Sequence, residues 1–299
     1  MLFQAQGQTN HNNLHRKEIS CKNTSQDAET SAYGSLYCAS GRQSRIPTDI
    51  PILLKTADLL IVNKPAGITV HGEHSIDTLL FGACAQFPDI RPAPASGRST
   101  LQSLSFKPGP LHRLDKDTTG VLCFSQTLSG AQWFSQCLRE KTVGKYYLGV
   151  VRGTMPSQLI TAKDESGKTM TQCYSLSYNK GIDASFMLFK LITGKKHQIR
   201  KHTASVGHPL AGDCKYRGGT TLPACKHYLL HAWRLYFPAS RPADMPLFIE
   251  APFFPEMKAC LNRYFSDWRK TAAAIITNQT QAAGNSQFPI EVILLPKKI

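Results

Sequence analysis

The run Asp58-Leu-Leu-Ile-Val-Asn, halted at Lys64-Pro65-Ala66-Gly67, does most to limit how this chain can fold. A short apolar stretch closed by a Pro/Gly turn reads as a strand buried on both faces. Similar runs recur at Val121 to Ser125, Lys145 to Arg152, Thr171 to Tyr178, Ser185 to Leu191 and His227 to Tyr236. Helical spacing is found from Leu128 to about Lys141, from His197 to Val206 with Gly207 as its C-cap, and from Met257 to Trp268;. Strands outnumber helices and do not alternate strictly with them. The expected class is therefore α+β, a mixed, largely antiparallel sheet with flanking helices, and not a doubly wound parallel sheet.

Residues 1–50 are rich in Asn, Gln, Ser and Thr without a sustained period and are expected to form a poorly ordered leader;. One folded domain is expected over 51–271, with a polar linker and tail over 272–299. Residues 84–110 hold five Pro and read as a long surface excursion;. No apolar run reaches the roughly 18 residues of a membrane helix, and the first residues lack the pattern of a secretory signal. The nine cysteines are odd in number and form no C-x-x-C pair, as free thiols in a reducing compartment would;. A cytoplasmic monomer is the expectation.

The charge is unevenly placed. The chain carries 35 Lys and Arg against 20 Asp and Glu, yet residues 1–50 hold only five of the former and four of the latter. Nearly all of the +15 surplus lies in the foldable part. Its densest stretch runs from Lys190 to Arg217, with seven basic residues, three His and a single acid, Asp213. Such a surplus attracts a polyanion, and equally suits a solvated basic face.

The segment His112-Arg113-Leu114-Asp115-Lys116-Asp117-Thr118-Thr119-Gly120 lies between Pro108-Gly109-Pro110 and a short strand. Rigid flanks put Asp115 on a held loop, where reactive groups are placed. A carboxylate there serves as nucleophile or general base if an Arg keeps it ionised and aimed, or simply caps a turn.

Four further segments accompany it: Lys64-Pro65-Ala66-Gly67-Ile68-Thr69-Val70-His71, Lys145-Tyr146-Tyr147, Thr193-Gly194-Lys195-Lys196-His197-Gln198-Ile199-Arg200 and His208-Pro209-Leu210-Ala211-Gly212-Asp213. In this order the five resemble the motifs of the RluA-type pseudouridine synthases, and the resemblance spans roughly residues 52–237. It departs from the usual pattern at Thr119, where Ser is commoner, and at Lys195-Lys196, where Arg-Thr is usual.

What the resemblance implies is a pseudouridine synthase catalytic domain that isomerises uridines in structured RNA without metal or cofactor. Ribosomal RNA is favoured over transfer RNA. Asp115 would be the nucleophile, toward the base or the sugar carbon or by a glycal route, Arg200 its ion-pair partner, and Tyr147 the ring that stacks on the target uracil and assists proton removal. Arg113 would help open the RNA. Lys64, His71, Lys195, Lys196, His197, Gln198 and Lys201 would contribute RNA or substrate contacts, with the Lys64-Pro65-Ala66-Gly67 turn read first as structural. Read from the residues alone, Tyr147, Gly149 and Val151 share a strand face, so the small residue leaves room for a base; an ordinary core tyrosine fits the same spacing;.

Three rival readings follow from the residues. Cys214, Cys225, His227 and His231 could be gathered into a zinc set, but their spacing fits no common structural pattern;. His-Arg-Leu-Asp is similar to a kinase catalytic loop, yet neither a Gly-rich phosphate loop nor a D-F-G element accompanies it. A non-catalytic RNA-binding or ribosome-assembly protein would show the same basic surface, but has no need of Asp115, Tyr147 and Arg200 together.

Overall fold

The computed structural model describes residues 33–37, 43–47, 50–81, 106–156, 160–163, 165–265 and 268–282. Within the expected leader it describes one antiparallel hairpin, β1 (Tyr33–Tyr37) with β2 (Gln43–Pro47). Most of the 84–110 excursion and the chain beyond 282 lie outside the described residues.

The central element is a ten-stranded sheet. Its strands are β3 (Ile52–Lys55), β4 (Leu59–Lys64), β5 (Gly109–Pro110), β6 (Thr119–Ser125), β7 (Gly144–Arg152), β8 (Ile160–Lys163), β9 (Thr169–Asn179), β10 (Ala184–Leu191), β11 (Leu230–Tyr236) and β12 (Phe248–Glu250). The order is β3-β4-β6-β11-β7-β10-β9-β8, with β5 on β6 and β12 on β11. Every described pairing within it is antiparallel except β6 with β11. The mixed, largely antiparallel α+β class is thus the observed one.

Alternation along the strands explains the unbroken apolar runs, because both faces are covered. Leu60 and Val62 of β4 join Leu122, Phe124, Tyr147, Met187, Phe189 and Ile199 in one cluster. Their neighbours Leu59 and Ile61 turn the other way, onto Phe134 and Cys137 of helix α2 (Leu128–Arg139). Farther along that second face, Leu148, Val150, Phe186 and Leu188 pack on α4 (Pro255–Tyr264) and α5 (Trp268–Ala282). Among the described residues are also the shorter helices α1 (Ile76–Phe81) and α3 (Gln198–Ser205).

The expected helix from Met257 to Trp268 is in fact two, because Phe265 is extended (φ −135°) and ends α4. The chain then re-enters a helix that carries Trp268, Ala272 and Ile276 at four-residue spacing into the core, at 6, 0 and 1% exposure. The boundary expected at 271 therefore falls inside α5. Among the described residues, no helix is long and apolar enough to cross a membrane. Cys123, Cys137, Cys173, Cys225 and Cys260 are buried free thiols.

The parallel pair decides what meets at one edge of the sheet. In a parallel pair both strands start on the same side, so the loops leading into β6 and β11 emerge together. Thr119 lies opposite His231, and Gly120 opposite Ala232. A register row runs across the sheet through Lys64, Gly120, Ala232, Tyr147 and Phe189. Gly120 has φ +109°, and a β-carbon there would stand 2.2 Å from the Ala232 carbonyl oxygen. Only glycine lets the two strands approach so closely.

Candidate active site

The loop entering β6 carries Asp115, whose carbonyl accepts the Thr118 amide at 3.1 Å and closes a turn. Its carboxylate is part-exposed, at 22%. Arg200, on α3, donates from Nη1 to Asp115 Oδ2 at 3.1 Å. The same guanidinium makes a two-pronged contact with Asp213, from Nε to Oδ2 at 2.6 Å and from Nη2 to Oδ1 at 2.8 Å. Arg200 is thus a buried cation shared by two carboxylates, one buried and one facing outward.

Aromatic rings hold that cation from two further directions. The Arg200 guanidinium carbon lies 4.6 Å from the Tyr228 ring centroid and 5.1 Å from that of Tyr216. Burial acts against the charge on Arg200, but the bonds to Asp213, Tyr228 beside it and Asp115 outweigh that and raise its pKa further;. Arg200 therefore stays charged throughout the accessible range, which is what keeping a nearby carboxylate ionised requires. Tyr228, two residues before β11, meets the Thr118 hydroxyl at 3.4 Å and is itself pushed to a higher pKa by burial.

Tyr147 stands in the register row behind these groups, 8% exposed. Burial, then the negative field of Asp115, raises the pKa of its phenol. The room expected beside Gly149 is filled: a β-carbon there would meet the Leu229 carbonyl and Leu230 Cδ1, both at 3.1 Å, and Phe189 at 3.3 Å. The glycine serves strand packing and leaves no pocket for a base.

Lys64 and Gln198 correct the sequence reading in the same way. Lys64 is fully buried, and its ammonium donates to the carbonyls of Pro65 and Lys116, both at 2.8 Å. It ties the two site loops together and has no surface to offer RNA. Gln198 accepts from the Thr193 hydroxyl (2.7 Å) and the Lys195 amide (2.9 Å), and donates to Met170 O (2.9 Å) and Thr171 Oγ1 (2.7 Å). Its amide is spent on the scaffold, and it takes up the Lys195 amide just ahead of α3.

Burial pushes the Lys64 pKa down to about 7 against the pull of Asp117 and Asp115, whereas the unfolded side chain keeps the ordinary 10.5. Between those values the unfolded chain binds more protons, so the native state gains stability as pH rises. Lys64→Met should flatten the difference in melting temperature between about pH 7 and pH 10 relative to the parent. An unchanged pH dependence would assign the titration to another group.

The remaining expected residues fall in two places. Arg113, Lys195, Lys196 and Lys201 are exposed, whereas His197 is half-buried with Nε2 3.6 Å from Asp115 Oδ1. His71 is exposed and stands 3.9 Å from Asp77; it makes no described contact with Asp115. Sequence reasoning gave no role to Asp213, Tyr216 or Tyr228. Asp213 stood at the end of a quoted motif, but nothing in the pattern of either tyrosine distinguishes it.

The zinc set is not assembled. Fully buried His231 accepts at Nδ1 from the Thr119 hydroxyl (2.7 Å), and its Nε2–H donates to the Ala251 carbonyl (3.1 Å), with burial driving its pKa to about 4. Among the described residues, no group of three His, Cys, Asp or Glu side chains is placed to hold a metal ion.

Comparison with known proteins bears on the family and the fold. The model of the RNA pseudouridylate synthase family matches residues 58–205. The ribosomal large subunit pseudouridine synthase C of Pasteurella multocida is 32% identical over 232 residues, 70% of this chain and 66% of that protein. The protein of the same name from Salmonella typhi is 30% identical over 237 residues, 70% of this chain and 68% of its own length. About a third of each relative thus lies outside the match. The solved structure of human RNA pseudouridylate synthase domain containing 4 shares the fold, with a TM-score of 0.50 at 22% identity, over 71% of this chain and 92% of the other.

Proposed function

Because the chain belongs to the RNA pseudouridylate synthase family, whose members are isomerases, we propose that it converts selected uridines of structured RNA to pseudouridine with Asp115 as nucleophile. The observation that carries this reading is the Asp115–Arg200–Asp213 arrangement. Asp213 consumes two of the guanidinium's prongs, which fixes the third on Asp115. The outward carboxylate is left aimed and reachable.

A uracil stacked in RNA is out of reach, and extruding it costs a few kcal/mol. Arg113, exposed two residues before Asp115, fills the vacated place, while Tyr147, 8% exposed behind Asp115, meets the base only once it has entered beside the carboxylate, and stacking there recovers about 1–3 kcal/mol;. Asp115 assists cleavage of the bond between uracil N1 and the sugar. The freed ring turns, a carbon–carbon bond forms to the same sugar carbon through C5, the proton on C5 leaves to a base, and N1 takes up a proton in its place. Atoms balance without redox, so the residues supply nucleophile, cation and stacking surface and the reaction needs no cofactor.

The relatives named for the large ribosomal subunit favour ribosomal RNA as substrate. Pseudouridine mapping in total RNA from cells with and without the gene tests the whole reading. One or more large-subunit positions should lose the modification and regain it when the wild-type gene is restored. No lost position would sink the proposal, and a loss confined to transfer RNA would correct the substrate.

Lys195 and Lys196 are exposed ahead of α3 and suit phosphate contact. Replacing both by Ala should make the plot of log affinity against log salt shallower by about 1–2 units, as expected for two lost phosphate contacts. An unchanged slope would remove them from the interface.

A further inference from the structure

Arg200 occupies Oδ2 of Asp115. The other oxygen, Oδ1, faces the ring of His197, with Nε2 3.6 Å away. His197 is held in an uncommon way. Its backbone is left-handed, with φ +56°, and its side chain makes no capping bond to α3;. Its Nδ1 lies 2.9 Å from the Tyr216 hydroxyl, and the two rings meet edge-on at 5.8 Å and 89°. Tyr216 also lies under the Arg200 guanidinium. The four side chains therefore close a ring of contacts around the carboxylate: Asp115, Arg200, Tyr216, His197.

Nε2 meets Oδ1 in an electrostatic contact at 3.6 Å and Nδ1 meets Tyr216 in a hydrogen bond, and where the hydrogens lie follows from what each group can do. A carboxylate only accepts. A bare Nε2 turned toward Oδ1 would set lone pair against negative charge, so Nε2 carries the hydrogen. In a neutral ring Nδ1 is then the acceptor, and Tyr216 must donate.

We propose that Tyr216 and His197 are a positioning pair for Asp115: the Tyr216 hydroxyl locks His197 with its hydrogen on Nε2, which steadies Oδ1 while Arg200 holds Oδ2. The pair deepens the reading of Asp115 as nucleophile and rests on it. A neutral donor gives direction without adding a second full positive charge, which would make the carboxylate a poorer nucleophile. The charged surroundings suit that role. Burial lowers the His197 pKa, Arg200, Lys215 and Lys196 lower it further, and Asp115 opposes them without prevailing. Tyr216 also lines a groove of about 510 Å³ together with Lys215 and Arg217, so its competing role is a contact with RNA lying there.

Tyr216→Phe separates the two, because it keeps the ring under Arg200 and removes only the hydroxyl. With the full-length protein and an RNA carrying the mapped uridine, the single-turnover rate at saturating RNA should fall about tenfold, with Kd changed by less than about twofold. Without the hydroxyl donor Nδ1 is open to a proton, so the acid-side fall in rate should move to higher pH. His197→Asn tolerates the left-handed backbone, offers an amide donor and does not titrate; it should erase the acid-side limb contributed by His197 and keep more activity than His197→Ala. Imidazole 15N shifts should show the Nε2–H form in the parent and mixed forms in Tyr216→Phe, whether or not the RNA is turned over.

Unchanged saturating rates, a weakened Kd with the rate preserved, an acid limb untouched by His197→Asn, or the same tautomer in both proteins would each overturn the pair. Pseudouridine formation by Asp115→Asn in this assay would instead overturn the nucleophile reading.

Discussion

Asp115→Asn should lower pseudouridine formation at saturating RNA by about 10⁴-fold or more while leaving RNA affinity within about twofold. The substitution is close to isosteric. Asn can still accept from Arg200 Nη1, and the turn that presents it depends on the Asp115 backbone carbonyl, which is unchanged. What it loses is the negative charge on the oxygen that must attack. Removing one negative charge from a surface that attracts a polyanion gives no reason for weaker binding. Single-turnover assay and filter binding on the same preparation check both halves. Residual activity above about one part in a hundred would assign the nucleophile elsewhere, and loss of binding would show that Asp115 shapes the RNA surface.

Arg200→Leu should be the most damaging substitution for the fold as well as for the chemistry. Asp213 is 1% exposed, and both of its described side-chain bonds go to Arg200. Breaking a buried pair by removing one partner costs about 3–5 kcal/mol, on the order of ten degrees in melting temperature for a domain of this size. The aromatic faces of Tyr216 and Tyr228 lose the cation they hold. Adding Asp213→Leu should recover a substantial part of that stability and none of the activity, because it removes the stranded charge without restoring the hold on Asp115. Calorimetry of the single and double variants decides the point. A double variant no more stable than Arg200→Leu would show that the cost came from packing and not from the unpaired carboxylate.

What was legible in the sequence was whatever a local pattern encodes. β4, β6, β7 and β10 were readable because both faces of the sheet are buried there, so the strands appear as near-continuous apolar runs, whereas β9 alternates buried Thr171 and Cys173 with half-buried Gln172 and Tyr174;. The meeting of Asp115 with Arg200 was readable only through a resemblance, since 85 residues separate them. Residue type showed that Lys64 and Gln198 are polar but not where their polarity points. Both turn inward and are used up by backbone and side-chain partners. The signal for α5 was present, as Trp268, Ala272 and Ile276 at four-residue spacing, but a polar stretch beginning at Asn278 masked it. No local pattern pairs β6 with β11, because register between distant strands is set by the whole sheet.

That pairing bears on how the protein comes into being. All five quoted motifs are complete by Asp213, yet the strand between β6 and β7 begins at Leu230. During synthesis, β6 and β7 emerge with the space between them still vacant, about 9–10 Å wide at two strand spacings. Until β11 enters, the two can find each other directly, a mispairing that would misalign the row of Lys64, Gly120 and Tyr147;. A nascent chain carrying all five quoted motifs therefore still lacks the strand that sets them in one row. The alignment of the site waits for the late arrival of a strand that bears none of them.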